Sequence, residues 1–171
     1  MRIEAVYPAK DFVLYVEFED DRLLKFDMSE MIQNDPEFFE LKFYPENFAR
    51  AGVTNECRNI SWGDLATLPG SVIEKYGRHI DVGFLDIDTS DLKLLSEYDD
   101  PIVQKALESR YGSTLFLEGS LFGEFADFLN AEFCGHLIDH EPTKEALVFE
   151  RLGDDMYWPA SNVRDWSDYE Y

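Results

Sequence analysis

Residues 11–27 read DFVLYVEFEDDRLLKFD, and this stretch decides the fold of the first half of the chain. Alternate positions are apolar, which places four side chains on one face of a strand: Phe12, Leu14, Val16 and Phe18. The acidic run 19–22 follows, and aspartate tolerates the backbone geometry of a tight turn. Leu24 and Phe26 then continue the buried face on a returning strand. The stretch therefore predicts an antiparallel β-hairpin.

Shorter elements surround this hairpin. Residues 3–7 and 57–62 predict two further strands. The intervening chain contains short helical pieces, each ended by a proline or a glycine: 28–33, 37–41 and 46–51. Pro69 begins another helix, and Gly77 suits its end. Residues 1–80 are therefore predicted to form a small antiparallel sheet with short helices.

This region resembles a bacterial protein family, domain of unknown function 2442. The resemblance covers residues 5–78 and lies in three stretches: DFVLYVEFEDDRLLKFDMS, EFFELKFYPENF and ISWGDLATLPGSVIEKYG. The family pattern has a hairpin with an acidic turn, an aspartate after its second strand (Asp27), and a tryptophan-led segment ending in a helix. Asp21 stands where the family usually has the turn glycine. The resemblance implies a small α+β domain and assigns no activity.

Residues 81–171 are predicted to form a second α+β domain or extension. Asp100 followed by Pro101 is a typical helix start, and helical apolar spacing follows it. Residues 113–117 predict a strand. A second amphipathic helix has its apolar stripe at Phe122, Phe125, Ala126, Leu129 and Phe133. Residues 147–152 and 156–158 predict a hairpin that turns at Gly153, Asp154 and Asp155.

The charge of the chain is its most unusual property. Among 171 residues, 36 are acidic and 15 are basic, which gives a net charge of −21. Residues 81–171 hold 21 of the acidic and 6 of the basic side chains, a net charge of −15. Direct nucleic-acid binding is disfavoured, because that affinity comes from Lys and Arg that neutralise phosphates. We therefore expect a basic partner protein to compensate this charge.

The expected location is the cytoplasm, without membrane association. No run approaches the roughly 20 apolar residues that a membrane span requires. The opening residues, MRIE, lack the apolar segment of a signal peptide. Two cysteines, Cys57 and Cys134, are too few for a disulfide framework and indicate a reducing compartment.

Catalytic signatures are missing from the sequence. It has no glycine-rich phosphate loop, no dinucleotide fingerprint and no nucleophile elbow. Three histidines and two isolated cysteines leave few ways to pair a nucleophile with a base. We therefore predict a non-catalytic protein with no organic cofactor, and leave a divalent cation open.

The segment CGHLIDHE, residues 134–141, carries the alternative function. In a helix, His136 and His140 would share a face that suits a transition metal, with Asp139 or Cys134 nearby. This arrangement would make the protein a metal-dependent enzyme or a metal sensor. A flanking glycine and proline favour instead a loop with two surface histidines.

A second group of oxygen ligands follows the spacing of a calcium loop. Positions 1, 3, 5 and 12 of such a loop would be Asp86, Asp88, Ser90 and Glu97. However, Asp91 replaces the glycine required at the sharp turn, and residues 82–87 predict a strand where a helix belongs. The preferred interpretation is a solvated connection with helix-capping aspartates, and an adventitious cation site is the alternative.

The predicted partner-binding surface combines carboxylates with aromatic side chains from the second helix, the predicted turn and the tail: Glu118, Glu124, Asp127, Glu132, Asp154, Asp155, Asp165, Trp166 and Asp168. Carboxylates on a rigid scaffold can imitate duplex DNA, which carries one charge per ~1.7 Å of axis. The sequence therefore suggests an acidic inhibitor of anti-defence, antitoxin or immunity type that blocks a nucleic-acid-binding protein. The alternative is an ordinary solvated acidic face.

Overall fold

The computed structural model describes residues 1–159. Within this range the chain forms two compact units, Met1–Asp81 (unit 1) and Val82–Trp158 (unit 2). The eight α-helices and eleven strands of these residues, with the strands in small antiparallel sheets, confirm the predicted α+β class. None of these helices combines the length and apolar character that a membrane crossing requires.

Unit 1 contains three-residue 3₁₀ turns at Lys10–Phe12 and Pro36–Phe38. Its other elements, in chain order, are β1 (Ile3–Pro8), β2 (Val13–Phe18), β3 (Leu23–Asp27), α1 (Ser29–Asn34), α2 (Phe39–Phe43), α3 (Pro45–Phe48), β4 (Gly52–Val53), β5 (Asn59–Ser61), β6 (Thr67–Pro69), α4 (Gly70–Tyr76) and β7 (Arg78–His79). They form two antiparallel sheets, a four-stranded one in the order β1-β2-β3-β7 and a three-stranded one in the order β4-β5-β6.

The hairpin of β2 and β3 is the one that the sequence predicts, except that Phe12 lies before β2, in the 3₁₀ turn, with a φ of 60°. Val16 pairs with Leu24 in antiparallel register. At the turn, Asp21 has a φ of 61°, in the left-handed region that favours glycine and that aspartate tolerates. Tyr15 and Glu17 are buried as well, so β2 is covered on both faces.

Trp62 anchors the second sheet of unit 1. Its side chain is 3% exposed, and its indole Nε1 donates a hydrogen bond to the carbonyl oxygen of Phe48 at 3.0 Å. The Trp62 ring stacks on the Phe48 ring at 5.9 Å and meets Phe38 edge-on at 6.1 Å. The tryptophan therefore joins the sheet to the short helices.

Unit 2 contains β8 (Val82–Asp86), α5 (Thr89–Ser96), α6 (Pro101–Glu108), β9 (Thr114–Glu118), α7 (Ser120–Gly135), β10 (Leu137–Ile138), β11 (Glu141–Pro142) and α8 (Lys144–Asp154). Strands β8 and β9 form one antiparallel pair, and β10 and β11 form another. The four helices and the first strand pair share a buried apolar core that includes Leu85, Val103, Leu117, Phe125, Leu129, Phe149 and Leu152.

Aspartates start two of these helices. Asp100 accepts hydrogen bonds from the N–H groups of Ile102 at 2.7 Å and Val103 at 3.3 Å, which confirms the predicted helix start. Asp88 and Asp91 form a reciprocal capping box at the start of α5. The segment with calcium-loop spacing is therefore largely a capped helix. The predicted helix-capping aspartates are present, but the segment is not a solvated connection, because Asp91 is 3% exposed.

The predicted hairpin over residues 147–158 is wrong. Residues 144–154 form α8, capped by the Thr143 hydroxyl, which accepts the Ala146 N–H at 3.1 Å. Every third residue is buried against the core, which gives a helical face rather than strand alternation: Ala146, Phe149 and Leu152. Gly153 and Asp154 end the helix instead of forming a turn. A short hairpin does form earlier, where Asp139 and His140 join β10 to β11.

Candidate functional site

The helices α7 and α8 form the scaffold of the candidate site. They pack against each other, and the short β10–β11 hairpin joins them. The chain therefore reverses direction, so the end of α8 lies beside the start of α7. The ring centroids of Trp158, just after α8, and Phe122, in the first turn of α7, are 4.5 Å apart.

Four predicted partner-binding residues lie in the first half of α7 and at the end of α8, toward the same end of the helix pair. Glu124 and Asp127 are exposed and lie about one turn apart on α7, whose sixteen residues include no Lys or Arg. Asp154 is the last residue of α8, and Asp155 caps its end. Both are exposed. We call these four residues the acidic end.

One cation lies close to the acidic end. Arg151 Nη1 is 3.3 Å from Asp155 Oδ2 across one turn of α8, and the same guanidinium contacts Asp91. Among residues 1–159, the other three members form no ion pair. Local neutralisation is therefore confined to one of the four carboxylates.

The remaining predicted residues are placed differently. Glu118 is the last residue of β9, where it pairs with Val82, and it is half buried. Glu132 is half buried and turns toward His136 rather than toward solvent. Asp165, Trp166 and Asp168 lie outside the described residues. Four of the nine predicted residues are therefore exposed toward one end of the helix pair.

His136 is the centre of a second cluster, at the opposite end of the helix pair. Its ring stacks on Phe149 with centroids 5.7 Å apart. Nε2 lies 3.4 Å from Glu132 Oε2, and Nδ1 lies 3.3 Å from Glu145 Oε2. The Tyr98 hydroxyl is 3.4 Å from Nε2. Because the two carboxylates face different ring nitrogens, they do not converge on one metal position.

Tyr98 completes this cluster from the turn after α5. Burial and a hydrogen bond to Glu132 raise the pKa of Tyr98 to about 12. The phenol is therefore protonated at neutral pH. Its ring meets Phe128 and Phe149 edge-on at 5.4 and 5.7 Å. Of these contacts, the sequence signals only that of Glu132 with His136, whose four-residue spacing would bring them together if the predicted helix continued that far.

The proposed metal ligands are not brought together. Helix α7 ends at Gly135, so His136 and His140 do not share a helical face. Asp139 and His140 are exposed in the β10–β11 turn, with φ values of 52° and 71°. Among residues 1–159, no three His, Cys, Asp or Glu side chains are grouped in a way that suits a metal ion. The metal site therefore stays a prediction to which this geometry adds no support.

Comparison of the chain with family models, with curated proteins and with solved structures finds no match. The resemblance of residues 5–78 to domain of unknown function 2442 therefore stays a prediction. The candidate function rests on the chain's own geometry and charge.

Proposed function

We propose that this protein is a non-catalytic inhibitor or neutraliser that binds a basic partner protein through the acidic end. The observation that carries the proposal is the presence of four exposed carboxylates toward one end of two packed helices. Unit 2 as a whole supports it, with 17 acidic against 5 basic residues, a net charge of −12.

The scaffold holds these carboxylates in place before a partner arrives. Helices α7 and α8 each bury large apolar side chains in the core: Phe125, Leu129, Phe149 and Leu152. The backbone that carries the acidic end is therefore fixed, and binding loses little conformational entropy there. Tyr157, 45% exposed and two residues after Asp155, adds an aromatic anchor of the kind that interfaces favour.

The partner that fits best is a protein whose basic groove normally receives nucleic-acid phosphates. Carboxylates one helical turn apart have Cβ atoms about 5–6 Å apart, so they present closely spaced negative charge. Such a surface attracts a basic groove over long range and accelerates association at low salt. Occupying the groove would exclude nucleic acid, which makes the protein an inhibitor of the anti-defence, antitoxin or immunity type.

A pair of matched variants tests the proposal. The first removes the acidic end: Glu124→Gln, Asp127→Asn, Asp154→Asn and Asp155→Asn. The control removes four exposed carboxylates of unit 1: Glu40→Gln, Glu46→Gln, Glu56→Gln and Asp64→Asn. Both variants change the net charge equally. Proteins captured from cell extract by the wild type at low salt are then purified, and their affinity for all three chains is measured against salt.

The proposal expects the wild type and the control to bind a basic protein with similar affinity. The acidic-end variant should bind it at least about tenfold more weakly, and added salt should weaken wild-type binding. Duplex DNA should compete with the wild type for the same partner. Equal affinity of all three chains, or a wild-type affinity that does not change with salt concentration, would contradict the proposal.

A further inference from the structure

The chain segment that follows α8 lies along the outer edge of β8. We call residues 156–158 the strap. Within it, the Tyr157 N–H donates to the Phe84 oxygen at 2.7 Å, and the Phe84 N–H donates to the Tyr157 oxygen at 2.8 Å. These two hydrogen bonds form an antiparallel bridge between the strap and the middle of β8. The strap therefore occupies the position that a further strand would take beside β8.

The pairing of β8 with β9 explains why the main chain of Phe84 is directed toward the strap. The Ile87 N–H donates to the Ser113 oxygen at 2.8 Å. Hydrogen bonds of an antiparallel pair recur at every second residue. Leu85 and Gly83 therefore bond to β9, and the N–H and C=O of Phe84 point away from it. The strap accepts and donates at both of these groups.

On the other strand of this sheet, a side chain meets the same requirement. Phe116 of β9 lies directly opposite Phe84, so its N–H also points outward. It donates to the Ser109 Oγ at 3.2 Å, and Ser109 is the residue that ends α6. A buried N–H without a partner is costly, and the fold supplies one at both edges.

Each residue of the strap has an anchor outside α8. Met156 packs against the core of unit 2. The Tyr157 ring stacks on the Phe84 ring, with centroids 6.2 Å apart. The Trp158 ring centroid lies 4.5 Å from that of Phe122. Main-chain and side-chain contacts therefore hold the strap against β8 and the start of α7.

The sequence of β8 does not by itself discourage pairing with another chain. Its residues read VGFLD, and the first four are buried. Natural edge strands are commonly protected by lysine, proline or a β-bulge. Strand β8 contains neither lysine nor proline, and its register with β9 is continuous from Val82 to Asp86. Charge is confined to Asp86, so an uncovered β8 would be a template for strand addition.

Helix α8 does not depend on the strap for its own stability. The Asp155 N–H donates to the Arg151 oxygen at 2.9 Å, which closes the last turn before the strap begins. Phe149 and Leu152 anchor the helix in the core. The strap can therefore separate from β8 while α8 stays folded. Such a local opening costs less free energy than global unfolding.

We propose that the strap is a removable cover of β8, and that its release allows β8 to pair with β8 of a second copy of this chain. The two strands would run antiparallel around Phe84, and each Phe84 would exchange both main-chain hydrogen bonds with its counterpart. Tyr157 makes these same bonds, in the same antiparallel sense. A second copy fits because two identical antiparallel strands form a closed two-fold dimer that covers both edges at once.

The charge of the chain sets the salt dependence of this dimer. Each copy carries a net charge of −21, so two copies repel each other at low salt. Salt screens this repulsion, and added salt should therefore strengthen the pairing. Binding of a basic partner to the acidic end should respond to salt in the opposite sense. This proposal and the proposed function can therefore fail separately.

Sedimentation velocity of three full-length chains tests the cover. The release variant, Tyr157→Pro/Trp158→Ala, removes the N–H that donates to Phe84 and the ring that contacts Phe122. The matched control, Tyr157→Phe/Trp158→Phe, keeps the N–H and an aromatic ring at both positions. We expect the release variant to dimerise with a dissociation constant at least about tenfold below that of the wild type and the control, and most tightly at high salt.

Amide hydrogen exchange at Phe84 shows whether β8 is the interface. At low protein concentration, exchange should be faster in the release variant than in the wild type. It should slow again as the variant dimerises, because the second copy replaces Tyr157. Circular dichroism and melting temperature verify folding. If the release variant does not fold, Trp158→Ala alone should shift dimerisation and exchange in the same direction by a smaller amount.

Three results would overturn the proposal. Unchanged exchange at Phe84 in the folded release variant would mean that the strap does not cover β8. Faster exchange without dimerisation would mean that an uncovered β8 does not pair with a second copy. Dimerisation without renewed protection of Phe84 would place the interface elsewhere in the chain.

Discussion

Arg151 of α8 forms an ion pair with Asp91 of α5, and Asp91 is 3% exposed. The Asp91 carboxylate also accepts the Asp88 N–H at 3.0 Å within the capping box. The side chain of Arg151 is 45% exposed. The pair therefore links the start of α5 to α8 through a carboxylate that is buried from solvent.

Removing Arg151 should destabilise unit 2. In Arg151→Met the buried Asp91 carboxylate loses its cation, which costs about 1–3 kcal/mol. Denaturant unfolding monitored by circular dichroism measures the loss. The double variant Asp91→Asn/Arg151→Met should lose less than the sum of the single variants, because the cycle removes both charges. Strict additivity would show that the contact carries no coupling energy.

Gly83 permits close packing between β8 and α7. A Cβ placed on Gly83 would overlap the ring of Phe122. Gly83→Ala should therefore lower the free energy of unfolding by about 1–3 kcal/mol, the usual cost of overpacking. The double variant Gly83→Ala/Phe122→Leu should recover part of the loss in the same unfolding experiment. If Gly83→Ala left the free energy of unfolding unchanged, α7 would have shifted to accommodate the added methyl group without cost.

The Tyr98 phenol should ionise at a higher pH than an ordinary tyrosine. Its folded pKa of about 12 exceeds the ordinary value of 10.0, so the fold favours the neutral phenol. Its contribution to stability is complete below pH 10 and declines as the pH rises from 10 to about 12. The difference in phenolate absorbance between wild type and Tyr98→Phe measures this titration. Glu132→Gln should move the midpoint toward 10, and an unmoved midpoint would assign the shift to burial and to the charges of Glu145 and Glu97.

The Trp62 indole should stabilise unit 1 through its hydrogen bond as well as through packing. Trp62→Phe removes the donor to the buried Phe48 carbonyl and leaves a small cavity. We expect a loss of about 2–4 kcal/mol in the free energy of unfolding of unit 1, measured by urea denaturation. Thr67→Ala, an exposed change on neighbouring β6, should cost less than about 0.5 kcal/mol.

Local signals in the sequence predict many of these elements. The alternation before and after Asp21 is repeated in the register of β2 and β3. Asp100 and Pro101 predict the start of α6 because capping acts within a few residues. The same reasoning fails at α8, where Gly153 and two aspartates suggest a turn. There the burial of Phe149 in a core made by three other helices decides the structure.

Compared with these elements, the candidate site depends more on contacts between residues that are far apart in the sequence. Glu124 and Asp127 are neighbours on a predicted helix, so their grouping is visible in the sequence. Their position toward the end of α8 requires the chain reversal at β10–β11, which was not predicted from the sequence. Tyr98 and Glu145 reach His136 from separate elements, and nothing in the local sequence indicates that meeting.

The acidic side chains of unit 2 differ in how freely evolution can exchange them. Asp88 and Asp100 accept backbone N–H groups at short range, a task that serine or asparagine can share and the longer glutamate performs poorly. At the acidic end, the proposed function requires only the charge of Glu124 and Asp154. In related chains, positions 88 and 100 should therefore drift among short capping residues, including neutral ones. Selection for binding would retain charge at 124 and 154 while aspartate and glutamate interchange.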